Sequence, residues 1–566
     1  MPERPPVRAT RHAIAAGHYL AAEAGFEILN AGGNAVDAAA AAGLALGVVQ
    51  PDIVNVAGVA PIMIWHAERG ELITLDGLGV WPQATDVRVF EREHGGHVPE
   101  GVLRTVVPAA PDAWLTALEH YGTMSFGDVA AAALDLARDG FVVHELLAET
   151  IRTHQADYAR FPENARIFLP GGAPPAVGAV FRQPDLAGVL QHLIDEERAT
   201  GGSRAAGLGA VRRAFYQGDL AQTLAAFHAA EGGWLDRGDL ASFRVREESP
   251  VRRPFGPLDV ATCGPWCQGP VLLEVLGLLR AEELRAAGRN TPAYLHRLAQ
   301  ALDLAFSDRE AWFGDPRFTD VPLEGLLDPD YLAGRRGMMS EQAFDGMPPA
   351  GDPPGGRRAG TERTTHTGEN RTLDTSYVAV VDRFGNAVSA TPSDVSYSSP
   401  VVPGTGLVPS SRGSQSWGFA GHPCAAAPGR RPRLTPNPAM AFRNGRPYLV
   451  FGTPGGDVQT QAMLQFLLGA EVFGLGLQAA VDAPRMATFN FPSSFEPHGM
   501  LPSRLMLEPA LAEVAGDDLA RRGYDIRPWP ERAWQAGAIC ALRIDPETGV
   551  IEAAADLRRP AAALGW

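Results

Sequence analysis

The stretch GENRTLDTSYVAVVDRFGNAV, residues 368–388, passes from polar loop into strand with no spacer between them. Downstream of the join, TSYVAVVD, the turn RFGN and then AVSATPS read as a β-hairpin, because β-branched and apolar runs flank a Gly-Asn turn. Upstream, residues 338–372 are dense in Gly, Pro, Thr and charge and carry no periodicity, which is the composition of a linker. Asp374 and Thr375 occupy the junction, and a second hydroxyl cluster, Thr364, Thr365 and His366, lies within the linker. The chain therefore divides near 374 into an α/β-rich first part and a strand-led second part.

Working outward, residues 18–52 read as helix, stop, helix, with Gly32 and Gly33 ending the first segment and Asn34 or Asp37 capping the second. The second helix is apolar nearly all round, so it belongs inside a layered architecture rather than on the surface of a bundle. Residues 60–77 alternate as two strands about an Arg-Gly turn, and 121–140 return to helix with Gly140 as terminator. Between roughly 275 and 311 the pattern predicts two amphipathic helices separated by a loop at Gly288 to Pro292. Residues 439–452 carry Asn444-Gly445, a strong hairpin signal.

Composition sets the outer bounds. With 566 residues, 45% apolar and 20% charged, the chain can bury a large core. A formal net charge of -16 opposes nucleic acid and anionic lipid. No stretch approaches the roughly 20 apolar residues of a membrane span, and the first residues lack a signal-type apolar core, so the expectation is a cytoplasmic protein. Cys263, Cys267, Cys424 and Cys540 are too few and scattered for a disulfide framework, and CGPWCQG has C-x3-C spacing where a thioredoxin-type redox pair needs C-x-x-C. Neither metal-ligand spacing nor a cofactor motif occurs, so no metal and no organic cofactor is expected.

A threonine opening a strand suggests one particular chemistry. Cleavage of the preceding bond places a free α-amino group beside the same residue's hydroxyl, so that one residue is both nucleophile and base. An oxyanion then needs donors, and VFGTPGGDVQTQ supplies Gly455 and Gly456 between a strand and a helix, where backbone N–H groups are free and closely approachable. Each signal alone is weak: a strand-opening Thr is ordinarily β-propensity, and Pro-Gly-Gly is ordinarily a turn.

Together these segments resemble one family. AAEAGFEILNAGGNAVDAAAAAGLALGVVQP near the start, AYLHRLAQALDLAFSDREAWFGDPRFTDVPLEGLL in the middle, DTSYVAVVDRFGNAVSATPS, VVPGTG, FGTPGGDVQTQ and the terminal AAADLRRPAAALGW look like the γ-glutamyltransferase (γ-glutamyl transpeptidase) family of N-terminal-nucleophile hydrolases, in the family's order over most of residues 10–566. The resemblance implies an α/β (α+β) fold, the four-layer αββα sandwich. It also implies a precursor that cuts itself before a nucleophilic threonine, giving a large subunit 1–374 ending in the processing linker and a small subunit 375–566, intertwined in one domain.

Counting back from Val380, Val381 and Asp382 places the nucleophile on Thr375 and the cleaved bond after Asp374, with Ser376 and Tyr377 replacing the family's second Thr and His. Thr364-Thr365-His366 spells the family tripeptide but has no strand behind it, so spacing excludes it. By the same carry-over Ser393 replaces a Thr whose hydroxyl orients the nucleophile's amine, and Gly455 and Gly456 match the oxyanion pair.

The substrate contacts depart from the family. Leu78 occupies the place of the Arg that holds a glutamyl α-carboxylate, Gln415 that of the Asp that holds its ammonium, Arg412 that of an amide or Glu, and Leu434-Thr435 that of a Ser-Ser pair. A leucine cannot form the bidentate pair that a carboxylate prefers. Arg412 reads either as a solvated loop arginine or as a ligand for an anionic substrate end. The usual Gly-rich stretch near residue 55 keeps only Gly58. The expected function is an amidohydrolase or acyltransferase working through a threonyl acyl-enzyme on a small-molecule amide other than a standard γ-glutamyl compound, as in family members acting on cephalosporin side chains or oxamate. The alternatives are a true γ-glutamyltransferase of glutathione metabolism and an unprocessed scaffold. The working unit is a heterodimer of the chain's own fragments, with further dimerisation left open.

Overall fold

The computed structural model describes residues 5–357, 367–368 and 374–566, so Thr364, Thr365 and His366 lie outside the described residues. Two seven-stranded sheets form the centre. Across the first run Ala562–Gly565, Ala13–Ala16, Val378–Val381, Ala387–Ala390, Ile62–His66, Glu71–Leu75 and Glu247–Glu248. Across the second run Val7–Ala9, Ile551–Ala555, Cys540–Ile544, Arg446–Gly452, Ala439–Arg443, Leu258–Thr262 and Val251–Phe255. Every pairing within these two sheets is antiparallel.

Side-chain alternation shows the layering. In the first sheet Ile14, Ile64, Val378 and Val380 join the core formed with the helices Tyr19–Ala31, Ala35–Val49 and Ala110–Tyr121. Their neighbours Ala15, Met63, Ala379 and Val381 face the other way, against Met440, Phe442, Val450 and Leu542 of the second sheet. Ala439, Ala441, Leu449 and Phe451 turn to the opposite helical layer, which includes Gly269–Leu278, Pro292–Trp312 and Gln459–Glu471. Strands buried on both faces explain why TSYVAVVD reads as a continuous apolar run; each valine so buried contributes about 1.5–3 kcal/mol. The order helix, sheet, sheet, helix is the expected αββα sandwich.

The helix Ala35–Val49 is buried over its whole length and starts in a capping box, with the Asn34 side chain accepting from Asp37 N–H and the Asp37 side chain accepting from Asn34 N–H. Gly140 ends Phe126–Asp139 as read, and Asn444 and Gly445 take positive φ values of 52° and 76° in the hairpin turn.

Three expectations need correction. The segment before Gly288 is two helices, Gly269–Leu278 and Ala281–Ala287, because Leu279 is extended (φ -98°, ψ 150°); a periodic apolar pattern runs through such a break without marking it. The strand begins at Val378 rather than Thr375. Opposite Ser376 lies Pro392, which has no N–H to give a ladder, so contact there reduces to a bridge between Thr375 and Ser393 and the bond from Ser376 N to Pro392 O (3.0 Å). Finally, residues 338–357 hold no helix or strand, yet they are fastened down: Gly351 N donates to Asp308 (2.7 Å), Trp312 Nε1 to Gly351 O (3.1 Å) and Gln300 Nε2 to Gln342 O (2.6 Å).

No helix among the described residues is long and apolar enough to cross a membrane. All four cysteines are free and buried, and burial pushes the Cys263 thiol well above its usual range, which suits inert thiols rather than a redox pair.

Candidate active site

Thr375 is fully buried where the hairpin meets the end of the linker. Its Oγ1 lies 2.8 Å from Ser393 Oγ and accepts from Gln459 Nε2 at 3.4 Å. Ser393 Oγ donates to the carbonyl oxygen of Asp374 at 3.0 Å, the carbonyl of the bond that precedes Thr375. A serine hydroxyl has one proton, so with that proton given to Asp374 O the Thr375 hydroxyl must donate to Ser393. Arg412 Nη2 also donates to Ser393 Oγ and, at 3.3 Å, to Asp374 O. Thr375 Oγ1, Ser393 Oγ and the Asp374 carbonyl oxygen thus form one hydrogen-bonded group.

Backbone pairing holds that group rigid. Ser393 N donates to Val59 O (2.9 Å) and Val59 N to Ser393 O (3.1 Å), so the segment around residue 55 forms the wall behind Ser393. This gives Gly58 its reason: a Cβ there would lie 2.5 Å from Ser393 O. Asp394 follows with φ 148°, and its carboxylate accepts from Ser410 Oγ and Ser411 Oγ, each at 2.6 Å, while Arg412 Nε lies 3.9 Å away. The loop that presents Arg412 is therefore pinned to the residue next to Ser393.

Gly455 and Gly456 lie at the N-terminal end of the helix Gln459–Glu471 with φ of 120° and 55°, values that favour glycine. Gln268 Nε2 donates to Gly456 O (2.8 Å) and to Thr435 O (3.0 Å), and the next residue, Asp457, pairs with the fully buried Arg309 and accepts from Ser494 N (2.8 Å). The helix start, with its N–H groups and positive dipole end, thus borders Thr375 through Gln459.

The four positions expected to contact substrate separate. Arg412 is 1% exposed, which rules out the solvated-loop reading; its Nη1 bonds Gln415 Oε1 at 3.3 Å, and Gln415 Nε2 bonds Thr435 Oγ1 at 3.1 Å. Arg412, Gln415 and Thr435 are one connected set. Leu78 instead lies in a small apolar cluster with Val59, Cys263, Trp266, Cys267 and Leu434. Burial lowers the Arg412 pKa, opposed by Asp394, whose carboxylate stands 3.9 Å from Arg412 Nε.

Asp394, Gln459 and Arg559 were not picked out from the sequence. Arg559 Nη2 pairs with the Asp374 carboxylate and Nη1 donates to Thr375 O (3.2 Å), while Asp374 Oδ1 accepts from Thr375 N (2.8 Å). Burial raises the Asp374 pKa and Arg559 opposes the rise. A charge placed directly after Ser393, and a second arginine in DLRRP beside a strand pairing with the nucleophile's sheet, were the available signals.

Comparison with known proteins agrees with this architecture. The family model described as gamma-glutamyltranspeptidase matches residues 21–566. The chain is 30% identical over 562 residues to the acylase ACY 1 proenzyme of Pseudomonas sp. (strain V22), covering 96% of this chain and 92% of that protein. It is 28% identical over 562 residues to the glutathione hydrolase proenzyme of Bacillus subtilis (strain 168), covering 98% and 91%. The structure superposes on that of cephalosporin acylase from Bacillus halodurans with a TM-score of 0.86 at 28% identity, over 100% of this chain and 97% of the other. The chain belongs to the gamma-glutamyltranspeptidase family, enzymes of the N-terminal-nucleophile hydrolase class with amidohydrolase and acyltransferase activity.

Proposed function

We propose that the protein is a self-cleaving amidohydrolase or acyltransferase that works through an acyl-enzyme on Thr375, with a substrate other than a standard γ-glutamyl compound. The hydrogen-bonded group of Thr375 Oγ1, Ser393 Oγ and Asp374 O carries the reading. In maturation Thr375 Oγ attacks the Asp374 carbonyl carbon, and the carbonyl electron pair moves to Asp374 O, stabilised by Ser393 O–H and an Arg412 N–H. The C–N bond breaks, the Thr375 nitrogen takes the proton lost by Oγ, and water hydrolyses the resulting ester. This leaves a carboxylate on Asp374 and a free amine on Thr375.

In the mature enzyme that amine takes the Oγ proton as Thr375 attacks an amide. Gly455 and Gly456 supply the oxyanion donors at the helix start, the leaving amine departs with the proton, and water or another amine resolves the ester. A glutamyl head fits poorly. Its carboxylate would meet the apolar cluster around Leu78 and its ammonium would meet Arg412 and Gln415, and a buried charge left unpaired costs about 2–5 kcal/mol.

Matured protein offered γ-glutamyl-p-nitroanilide and a panel of other acyl anilides tests this reading. Turnover of other amides with little glutamyl turnover is expected; a strong glutamyl preference overturns the substrate assignment, and no turnover of any amide overturns the enzymatic one.

A further inference from the structure

Gln459 opens the helix Gln459–Glu471 and is fully buried. Its Oε1 accepts from Asn437 N at 3.1 Å and its Nε2 donates to Thr375 Oγ1 at 3.4 Å, so the side chain bridges two other segments instead of capping its own helix. Asn437 stands between Pro436 and Pro438, so of these three residues it alone has a backbone N–H, and that N–H is spent on Gln459. A flipped amide would set Nε2 against the same N–H, donor to donor, so the backbone fixes which end of Gln459 faces Thr375. Gln268 Nε2 adds a second tie, to Thr435 O (3.0 Å) and Gly456 O (2.8 Å), which joins the segment before Asn437 to the turn before Gln459. Thr375, Asn437 and Gln459 all lie after the Asp374–Thr375 bond, so cleavage there leaves the three in one fragment.

We propose that Gln459 is a catalytic residue, whose side-chain N–H holds one lone pair of Thr375 Oγ and stabilises the charge on that oxygen as its bond to the acyl carbon forms and breaks. The proposal rests on the acyl-enzyme reading above. A threonine hydroxyl has one proton and two lone pairs. With the proton given to Ser393 and one lone pair taken by Gln459, the second lone pair is left to attack. In the attack the O–H bond breaks, the proton passes to nitrogen and an Oγ electron pair forms the bond to carbon. When the ester is resolved, that bond breaks, its pair returns to Oγ and a proton from the ammonium follows. In both steps Oγ carries excess negative charge, and a buried N–H already fixed in place meets it without reorganising. Ser393 cannot serve in the same way before cleavage, because its proton goes to Asp374 O.

The chain is its own first substrate, so the rate of self-cleavage, followed by intact mass, tests the proposal without an external amide. Gln459→Met keeps the length of the side chain and removes the donor. Its fragments should appear about 10- to 100-fold more slowly than those of the wild type, the loss expected for one hydrogen bond to a charged group. Once cleaved, it should lose a similar factor in kcat/KM on the acyl anilide that the wild type turns over best. Gln459→Glu separates chemistry from packing. Its carboxylate still accepts from Asn437 N–H but has no proton for Thr375, whereas the protonated carboxyl has one. The ratio of wild-type to Gln459→Glu cleavage rates, corrected for the folded fraction by circular dichroism, should therefore shrink as pH falls from about 8 to about 5. Cleavage by folded Gln459→Met within about threefold of wild type overturns the proposal, as does a Gln459→Glu ratio that stays constant with pH. The second result decides alone if Gln459→Met does not fold. A wild type that cleaves and turns over amides beside unimpaired variants removes this proposal only; a wild type that does neither removes the acyl-enzyme reading and the proposal with it.

Discussion

At the scale of single residues, the spacing back from Val380-Val381-Asp382 places Thr375 beside Ser393, and the structure joins them at 2.8 Å. Thr375→Ala is expected to abolish both cleavage and amide turnover, whereas Thr364→Ala should leave both unchanged; denaturing electrophoresis with an anilide assay reads the two. Ser393→Ala should slow self-cleavage by about 10²–10³-fold, the loss typical of one oxyanion donor, measured as the rate at which the fragments appear. Asp52 offers a pH test. Its folded pKa of about 7 lies above the unfolded value of 3.8, so the folded state holds a proton that the unfolded chain releases, and stability falls as pH rises between about 4 and 7. Asp52→Asn should remove that fall, with a gain at pH 8 of at most about 4 kcal/mol and little gain at pH 4, read from denaturant unfolding of the uncleaved Thr375→Ala chain. Thr375 and Ser393 were legible because a hairpin fixes their register. Asp394 and Arg559 were not, and Arg412 was named with its burial left open, because burial of a charged side chain depends on loops folding onto one another, which no local pattern encodes.

At the scale of elements, caps and periods served well wherever an element carries its own boundary signal. Asn34 and Asp37 open a helix, Gly140 closes one, and Asn444-Gly445 turns a hairpin. Leu279 carries no such signal, so the break it makes between two helices was invisible. The Ala-rich helix Ala35–Val49 packs closely enough that its glycines count: a Cβ at Gly43 would lie 2.2 Å from Trp114 Cζ2. Gly43→Ala should therefore destabilise the uncleaved chain by about 1–3 kcal/mol through overpacking, a shift that denaturant unfolding would detect. Residues 338–357 were read correctly as lacking helix and strand, but composition does not report the bonds that fasten them to Asp308, Trp312 and Gln300.

At the scale of the whole molecule, the all-round apolar helix pointed to a layered architecture, and the resemblance to the family implied its four layers. The pairing order did not, because it joins segments hundreds of residues apart. That order has a consequence for the cleaved protein. In the first sheet Ala13–Ala16, from before the Asp374–Thr375 bond, lies between Ala562–Gly565 and Val378–Val381, both from after it. In the second, Leu258–Thr262 pairs with Ala439–Arg443, and Val7–Ala9 with Ile551–Ala555. Separating the fragments would open ladders in both sheets, so they should co-elute as one species on size exclusion and part only in denaturant. The central claim is cleavage at one bond, and intact-mass spectrometry of denatured, fully incubated protein tests it most directly. The account predicts two fragments, residues 1–374 and 375–566, the second beginning Thr-Ser-Tyr-Val. A single 60.1 kDa chain that persists, or a fragment beginning at Thr364, would contradict it.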